Sequence, residues 1–327
     1  MKALPKVELH LHLEGAAPPG FVRDLAAAKG TDLSGIFRPD GSYAFRDFAH
    51  FLQVYEAATS VLATPADYAR LTDEVCAALA EQGVIYAETF VSPDFCGGGD
   101  VAAWRDYLSA IQEAAEEAQA RGGPVLKAIV TPIRHFGPER ARAPALCAAE
   151  TAGDFVVGLG IAGDETAGRL RDFAWAFDCA REAGLHLTAH AGEWCSPQSV
   201  RDALDDLRVE RIGHGVRAIE DRPLVERLAE KQIPLEVCPG SNVALGLYPR
   251  LADHPIARLR EAGVPVTVST DDPPFFHTTM TAEYEGLARA FGWDDDDFRD
   301  LARTAARAAF CDDETRATLL KTLDDQR

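Results

Sequence analysis

Eight short runs of apolar and β-branched residues recur along the chain: 6–12 (KVELHLH), 84–90 (VIYAETF), 125–130 (VLKAIV), 156–161 (VVGLGI), 186–190 (HLTAH), 211–214 (RIGH), 234–238 (PLEVC) and 265–269 (PVTVS). Between most of them lie stretches whose apolar positions return every three to four residues, as at 101–120, 168–183, 197–207, 221–231 and 255–262. Strands that alternate with helices pair in parallel through right-handed crossovers. Eight such units predict an α/β fold of the closed (β/α)8 TIM-barrel kind. An open doubly wound sheet would want a G-x-G-x-x-G turn after its first strand, and none follows residue 12.

The longest interval, residues 15–83, carries helical patterns at 19–29, 44–60 and 65–82. An insertion after the first strand sits on the face where barrel loops build active sites, so it is expected to cap that face. At the other end, Asp294-Asp295-Asp296-Asp297 precedes apolar positions at Phe298, Leu301, Ala305 and Ala308. That reads as the acidic first turn of a C-terminal helix, favoured by the helix dipole, and predicts extra helices after the last strand. No linker, repeat or low-complexity tract interrupts the chain, which is read as one barrel domain over 1–327.

Composition narrows the function classes. A content of 47% hydrophobic and 26% charged residues is a globular balance, and no run approaches the roughly 18 apolar residues of a membrane span. The formal charge of −19 repels a phosphate backbone, which excludes a nucleic-acid polymer as partner and favours a small neutral or cationic molecule. Seven cysteines, scattered with no C-x-x-C pair, argue against a disulfide framework. With no basic-then-apolar leader pattern, a reducing cytoplasm is expected. Oligomeric state has no signature in the chain.

The unusual residues gather at strand ends. His10-Leu11-His12 places two imidazoles on one face of the first strand, because side chains two apart point the same way. The fifth run ends His190-Ala191-Gly192-Glu193, the sixth Gly213-His214-Gly215 and the eighth Thr270-Asp271-Asp272-Pro273. A barrel brings the C-terminal ends of its strands to one mouth, so these groups converge there. A catalytic zinc needs three or four protein ligands and an open position for water, and His10, His12, His190 and Asp271 supply such a set for one ion per chain. Glu193, His214 and Asp272 are left for proton transfer. The chemistry this predicts is metal-assisted hydrolysis at a carbon whose leaving group must collect a proton.

These residues resemble the adenosine and adenine deaminases of the metal-dependent amidohydrolase superfamily. The likeness runs from Pro5-Lys6-Val7-Glu8-Leu9-His10-Leu11-His12-Leu13-Glu14-Gly15 through Ala162-Gly163-Asp164-Glu165, His190-Ala191-Gly192-Glu193 and Arg211-Ile212-Gly213-His214-Gly215. It continues to Glu236-Val237-Cys238-Pro239 with Ser241-Asn242, and ends at Thr270-Asp271-Asp272-Pro273. The resemblance implies zinc held by His10, His12, His190 and Asp271, with His12 also beside the substrate. It implies that Glu193 protonates purine N1, and that His214, helped by Asp271, orients and deprotonates the zinc-activated water that attacks C6. Asp272 would hydrogen-bond N7, and the Gly163 N–H would meet N3. Ammonia leaves, and a 6-oxopurine remains.

For the substrate, Thr270-Asp271-Asp272-Pro273-Pro274-Phe275-Phe276-His277-Thr278-Thr279-Met280 resembles the adenosine-type pattern TDDPxxFxST[LM], where adenine-type members usually show SDDPAYF. Two departures pull the other way: Glu14 stands where adenosine-type members have the Asp of HLDG, and Phe90 where they often have Arg. The expected reaction is therefore deamination of adenosine and 2′-deoxyadenosine to inosine and ammonia in purine salvage, with Glu14 over the ribose. The alternative is adenine to hypoxanthine, or another 6-aminopurine. Phe48 and Leu52, in Asp47-Phe48-Ala49-His50-Phe51-Leu52, are expected to roof the pocket. Deaminases of polynucleotide bases or cytidine use H-x-E with P-C-x-x-C, and no P-C-x-x-C is present. A noncatalytic zinc- or purine-binding barrel and a hydrolase of cyclic amides or phosphoesters are the other readings. The intact Glu193, His214 and Asp272 speak against the former.

Overall fold

The computed structural model describes residues 1–325 and is a ring of eight parallel strands in the order of the chain. These are β1 (Lys6–His12), β2 (Val84–Val91), β3 (Val125–Val130), β4 (Val156–Leu159), β5 (His186–Ala191), β6 (Arg211–His214), β7 (Leu235–Val237) and β8 (Val266–Val268). Three match the predicted bounds residue for residue. β7 and β8 are shorter than expected, and each begins one residue after a proline, which has no N–H for the ladder. The ring closes past the end of β8. Asp271 N–H donates to the His10 carbonyl (3.1 Å), and His12 N–H donates to the Asp271 carbonyl (3.0 Å). Just inside this seam the buried Glu8 carboxylate accepts from the Thr270 N–H at 2.9 Å and its hydroxyl at 2.5 Å.

The insertion after β1 holds α1 (Pro19–Lys29), α2 (Phe48–Thr59) and α3 (Pro65–Glu81). The crossovers then carry α4 (Val101–Ala120), α5 (Arg142–Glu150), α6 (Ala174–Glu182), α7 (Pro197–Asp202), α8 (Arg222–Glu230), and α9 (Pro239–Ala244) with α10 (Ile256–Glu261). After β8 come α11 (Pro273–Phe276), α12 (Met280–Phe291), α13 (Asp295–Ala308) and α14 (Asp313–Asp325). The acidic run does what its position predicted: Asp294 and Asp297 form a reciprocal capping box on α13, and Phe298, Leu301 and Ala305 are buried beneath it. Two expected helices are mixed, with a 3-10 turn at Leu170–Phe173 leading into α6 and a π turn at Ala203–Leu207 ending α7. α5 was not foreseen, since its RAPALCAAE sequence has a proline in the first turn and little apolar contrast between faces. Among the described residues, no helix is long and apolar enough to cross a membrane.

Most of the core is aliphatic, but a charged ladder crosses the barrel interior. Arg211, 1% exposed, donates to Glu236 (Nε, 2.6 Å) on β7, to Glu88 (Nη2, 2.6 Å) on β2 and to the Ala308 carbonyl (2.9 Å) at the end of α13. Removing one partner of such a set leaves uncompensated buried charge. Arg211→Met is therefore expected to destabilise the fold by about 3–5 kcal/mol. The check is a lower denaturation midpoint at unchanged slope, and a loss under about 1 kcal/mol would show that the guanidinium is dispensable.

Candidate active site

At the C-terminal mouth the strand ends deliver their histidines and carboxylates to one place. His214 and Asp271 both turn through left-handed backbone (φ 60° and 67°), a conformation that costs about 1–3 kcal/mol and that His and Asp tolerate better than most residues. Two glycines make room. A Cβ at Gly213 would stand 2.9 Å from His10 Cε1, and one at Gly15 would overlap the Asp272 carboxylate at 1.6 Å.

His10, His190, His214 and Asp271 each offer a ligand atom within 4.8 Å of the others, and His12 makes a second such set with Asp271 and Asp272. Asp271 belongs to both. His12 Nε2 lies 3.2 Å from His190 Nε2 and 3.2 Å from Asp271 Oδ1, and His10 Nε2 lies 3.5 Å from that same oxygen. Ligands held about 2 Å from a tetrahedral ion stand roughly 3.3 Å apart, so these three spacings fit a metal. His10 Nε2 is buried without a hydrogen-bond partner, as a nitrogen facing an ion would be. His214 Nε2 stands further out, 4.0 Å from the other Asp271 oxygen.

The residues behind these donors fix their orientation. His10 Nδ1 is hydrogen-bonded to Glu236 (2.8 Å), which also accepts from Thr188 (2.8 Å) and Arg211. Burial works to raise the Glu236 carboxyl, but Arg211, His10 and Thr188 outweigh it and hold it at about 2. The Ser241 hydroxyl donates to Asp271 Oδ2 at 2.7 Å. Phe90 sets its ring against His10 and His12, with centroids 4.7 and 4.9 Å away, so an apolar plate stands where an arginine was the family's common choice.

Burial dominates the titration of the remaining groups. It pushes His214 down to about 3 and His190 well below the ordinary range, so both imidazoles are neutral near pH 7. It drives Glu193 up, reinforced by the negative charges of Asp271 and Glu165, and drives Asp272 up, reinforced by Asp271 and Glu193. Burial thus favours the protonated, donating form of these carboxyls. Glu193 Oε1 accepts from Asn242 Nδ2 at 3.2 Å, whereas Asp272 Oδ1 is buried with no partner.

One cavity joins these groups to the cap. His12, His190, Glu193, His214, Asp271, Asp272 and Gly163 line its floor, and Phe48 and Leu52 line its roof as the sequence predicted. The roof also includes Phe51, which lies in the segment expected there, and Tyr55 and Glu56 of α2, with Phe95 and Phe276, which were not singled out. Helical spacing from Phe48 and Leu52 would have found the first three. Contacts that tie α2 to the barrel include Phe48 against Trp194 (4.9 Å between rings) and Glu56 Oε1 to His135 Nε2 (3.2 Å). Glu14, expected over a sugar, is buried and is not among the residues that line this cavity. Its Oε1 accepts from the Tyr68 hydroxyl (3.2 Å) and the Ser92 N–H (3.3 Å), beside Cys96 Sγ (3.8 Å), and burial lifts the carboxyl to about 7.

Comparison with known proteins agrees with this geometry. The family model described as Adenosine deaminase matches residues 5–326. The chain is 50% identical to the adenine deaminase of Rhizobium leguminosarum bv. trifolii, covering 98% of this chain and 99% of that one. It is 49% identical to the adenine deaminase of Agrobacterium fabrum, over 98% of each. Among solved structures, the adenine deaminase of Arthrobacter aurescens superposes with a TM-score of 0.90 at 31% identity, over 99% of both chains. An amidohydrolase of Burkholderia ambifaria, crystallised with bound zinc, superposes with a TM-score of 0.86 at 27% identity, over 99% of this chain and 94% of the other.

Proposed function

We propose that this chain, which belongs to the adenosine deaminase family of hydrolytic deaminases, acts on the free base adenine and releases hypoxanthine and ammonia. Near-full-length similarity to adenine deaminases at about half identity carries this reading. It favours the alternative over the adenosine expected from the segment Thr270–Met280. The engagement of Glu14 Oε1 by Tyr68 and Ser92 points the same way, because that oxygen already has protein donors in place of a sugar hydroxyl.

One zinc per chain would be held by His10, His12, His190 and Asp271, and when bound it supplies a Lewis acid that brings the pKa of water to about 7. The protein's own groups do the rest. The protonated Glu193 carboxyl gives its proton to N1, which makes C6 electrophilic. Neutral His214 orients the attacking water, accepts its proton and passes it to the departing amine, so that ammonia leaves while the C6 hydroxyl returns a proton to Glu193 and becomes the 6-oxo group. Protonated Asp272, whose oxygen lacks a partner in the protein, donates to N7, and the Gly163 N–H meets N3. The apolar roof of Phe48, Phe51, Leu52 and Phe276 excludes bulk water and covers the ring faces. Seven free thiols suit a reducing cytoplasm.

The test is the loss of ultraviolet absorbance as a 6-amino becomes a 6-oxopurine. The zinc-loaded protein is expected to show a kcat/KM for adenine at least about tenfold above that for adenosine, a difference of ~1.4 kcal/mol in transition-state stabilisation. A ratio that favours adenosine would overturn the proposal.

A further inference from the structure

Glu165 touches neither the metal donors nor the cavity, yet it is the most heavily hydrogen-bonded carboxylate beside the site. It is 2% exposed. Its Oε1 accepts from the Gly192 N–H (2.6 Å) and the Ser199 hydroxyl (2.7 Å), and its Oε2 from the N–H groups of Glu193 (3.1 Å), Trp194 (2.6 Å) and Cys195 (2.9 Å). Four consecutive amides therefore converge on one side chain. They do so because the chain leaves β5 through Gly192 at φ 72°, which turns successive N–H groups into an anion-binding concavity.

The opposite side of the same turn is held as well. Arg217 donates its N–H to the Gly192 carbonyl (2.8 Å) and its guanidinium to the Trp194 carbonyl (2.7 Å). Glu193 thus leaves a backbone clamped on both sides. Among the described residues its side chain has one hydrogen-bond donor, Asn242 at 3.2 Å, so the aim of its carboxyl depends on the backbone mount. Glu165 also follows Gly163 by two residues, so one short segment after β4 carries both a cavity-lining amide and the anchor of the acid.

We propose that Glu165 is a positioning residue for the general acid: its carboxylate organises the turn Gly192–Cys195 so that Glu193 presents its proton at the place where the purine ring needs it. The inference rests on the assignment of Glu193 as proton donor, not on which purine is the substrate. The electrostatics agree, since the charge of Glu165 acts with burial to favour the protonated form of Glu193. In Glu165→Gln one accepting oxygen becomes an amide that faces N–H donors, and the turn must shift. Misplacement of a reacting group by about 1 Å costs on the order of a hundredfold.

The experiment is a double-mutant cycle in zinc-loaded protein, assayed with whichever of adenine or adenosine the wild type turns over faster. Glu165→Gln is expected to lower kcat about 30- to 100-fold, with KM within about threefold and metal content unchanged. In the Glu193→Gln background the same substitution should cost less than about threefold, because a residue that acts through Glu193 has nothing left to position. Glu165→Asp, which keeps the acceptors on a shorter stem, should recover part of the loss and replaces Glu165→Gln in the cycle if that variant fails to fold. Equal fold-losses in the two backgrounds, or a loss that follows metal content, would overturn the proposal. If Glu193→Gln alone proves nearly silent, the general-acid assignment itself fails, and that result is separate from an additive cycle.

Discussion

His12→Ala protein will be folded, free of stoichiometric zinc and without measurable turnover. The His12 ring lines the cavity and is 12% exposed, so its removal opens no closed void in the core. Its Nε2, however, stands 3.2 Å from both His190 Nε2 and Asp271 Oδ1, two members of the proposed ligand set. Loss of one ligand from a four-ligand site weakens the metal and removes the activated water together. The companion is His214→Ala, expected to lose turnover while it keeps the metal, because the proposal gives His214 the proton of the water and not a ligand position. Elemental analysis of the two variants decides between them. Zinc retained without His12 and lost without His214 would exchange their roles.

Glu193→Gln carries the second large effect: a fall in kcat of at least about a hundredfold, with metal content and purine affinity kept. General acid catalysis is worth typically 10²–10⁴-fold, and an amide has no proton to give at neutral pH. Geometry should survive, since the glutamine carbonyl can still accept from Asn242 and the backbone contacts to Glu165 do not involve the side chain. A rate loss that merely tracks loss of metal would show that Glu193 supports the ligands and is no proton donor.

What could be read in the sequence was what is locally odd. An imidazole or carboxylate at the end of an apolar run is conspicuous, and each such residue lies at the mouth: His10, His12, His190, His214, Asp271 and Asp272. Elements with strong period, such as β1, β3, β6, α1 and α4, have the bounds that the pattern predicts. Groups whose meaning depends on distant partners were not legible. Glu14 looked like a sugar ligand because nothing nearby shows that Tyr68, Ser92 and Cys96, 54, 78 and 82 residues further along, surround it. Glu236 did leave a trace, a charge between Leu235 and Val237 in a buried three-residue strand, but its pairing with His10 and Arg211 spans the barrel. The same holds for Glu165, whose motif was noticed while its four amide donors lay 27 to 30 residues ahead.

The closure of the ring at Asp271 has a consequence for how the protein comes into being. Asp271 stitches the last strand to the first through its backbone while its side chain sits among the histidines, and nearby Leu9 N–H donates to Ser269 Oγ across 260 residues of chain. So long a separation makes this one of the most entropically costly pairings in the molecule, and contacts of that kind form late. A chain still emerging from the ribosome therefore holds two or three imidazoles but no ligand set. If His10, His12, His190 and Asp271 hold an ion as proposed, affinity for it arrives only when the final strand docks, and an ion bound there then draws the finished ring further from the open one. Metal content would then report that the last strand has docked on the first.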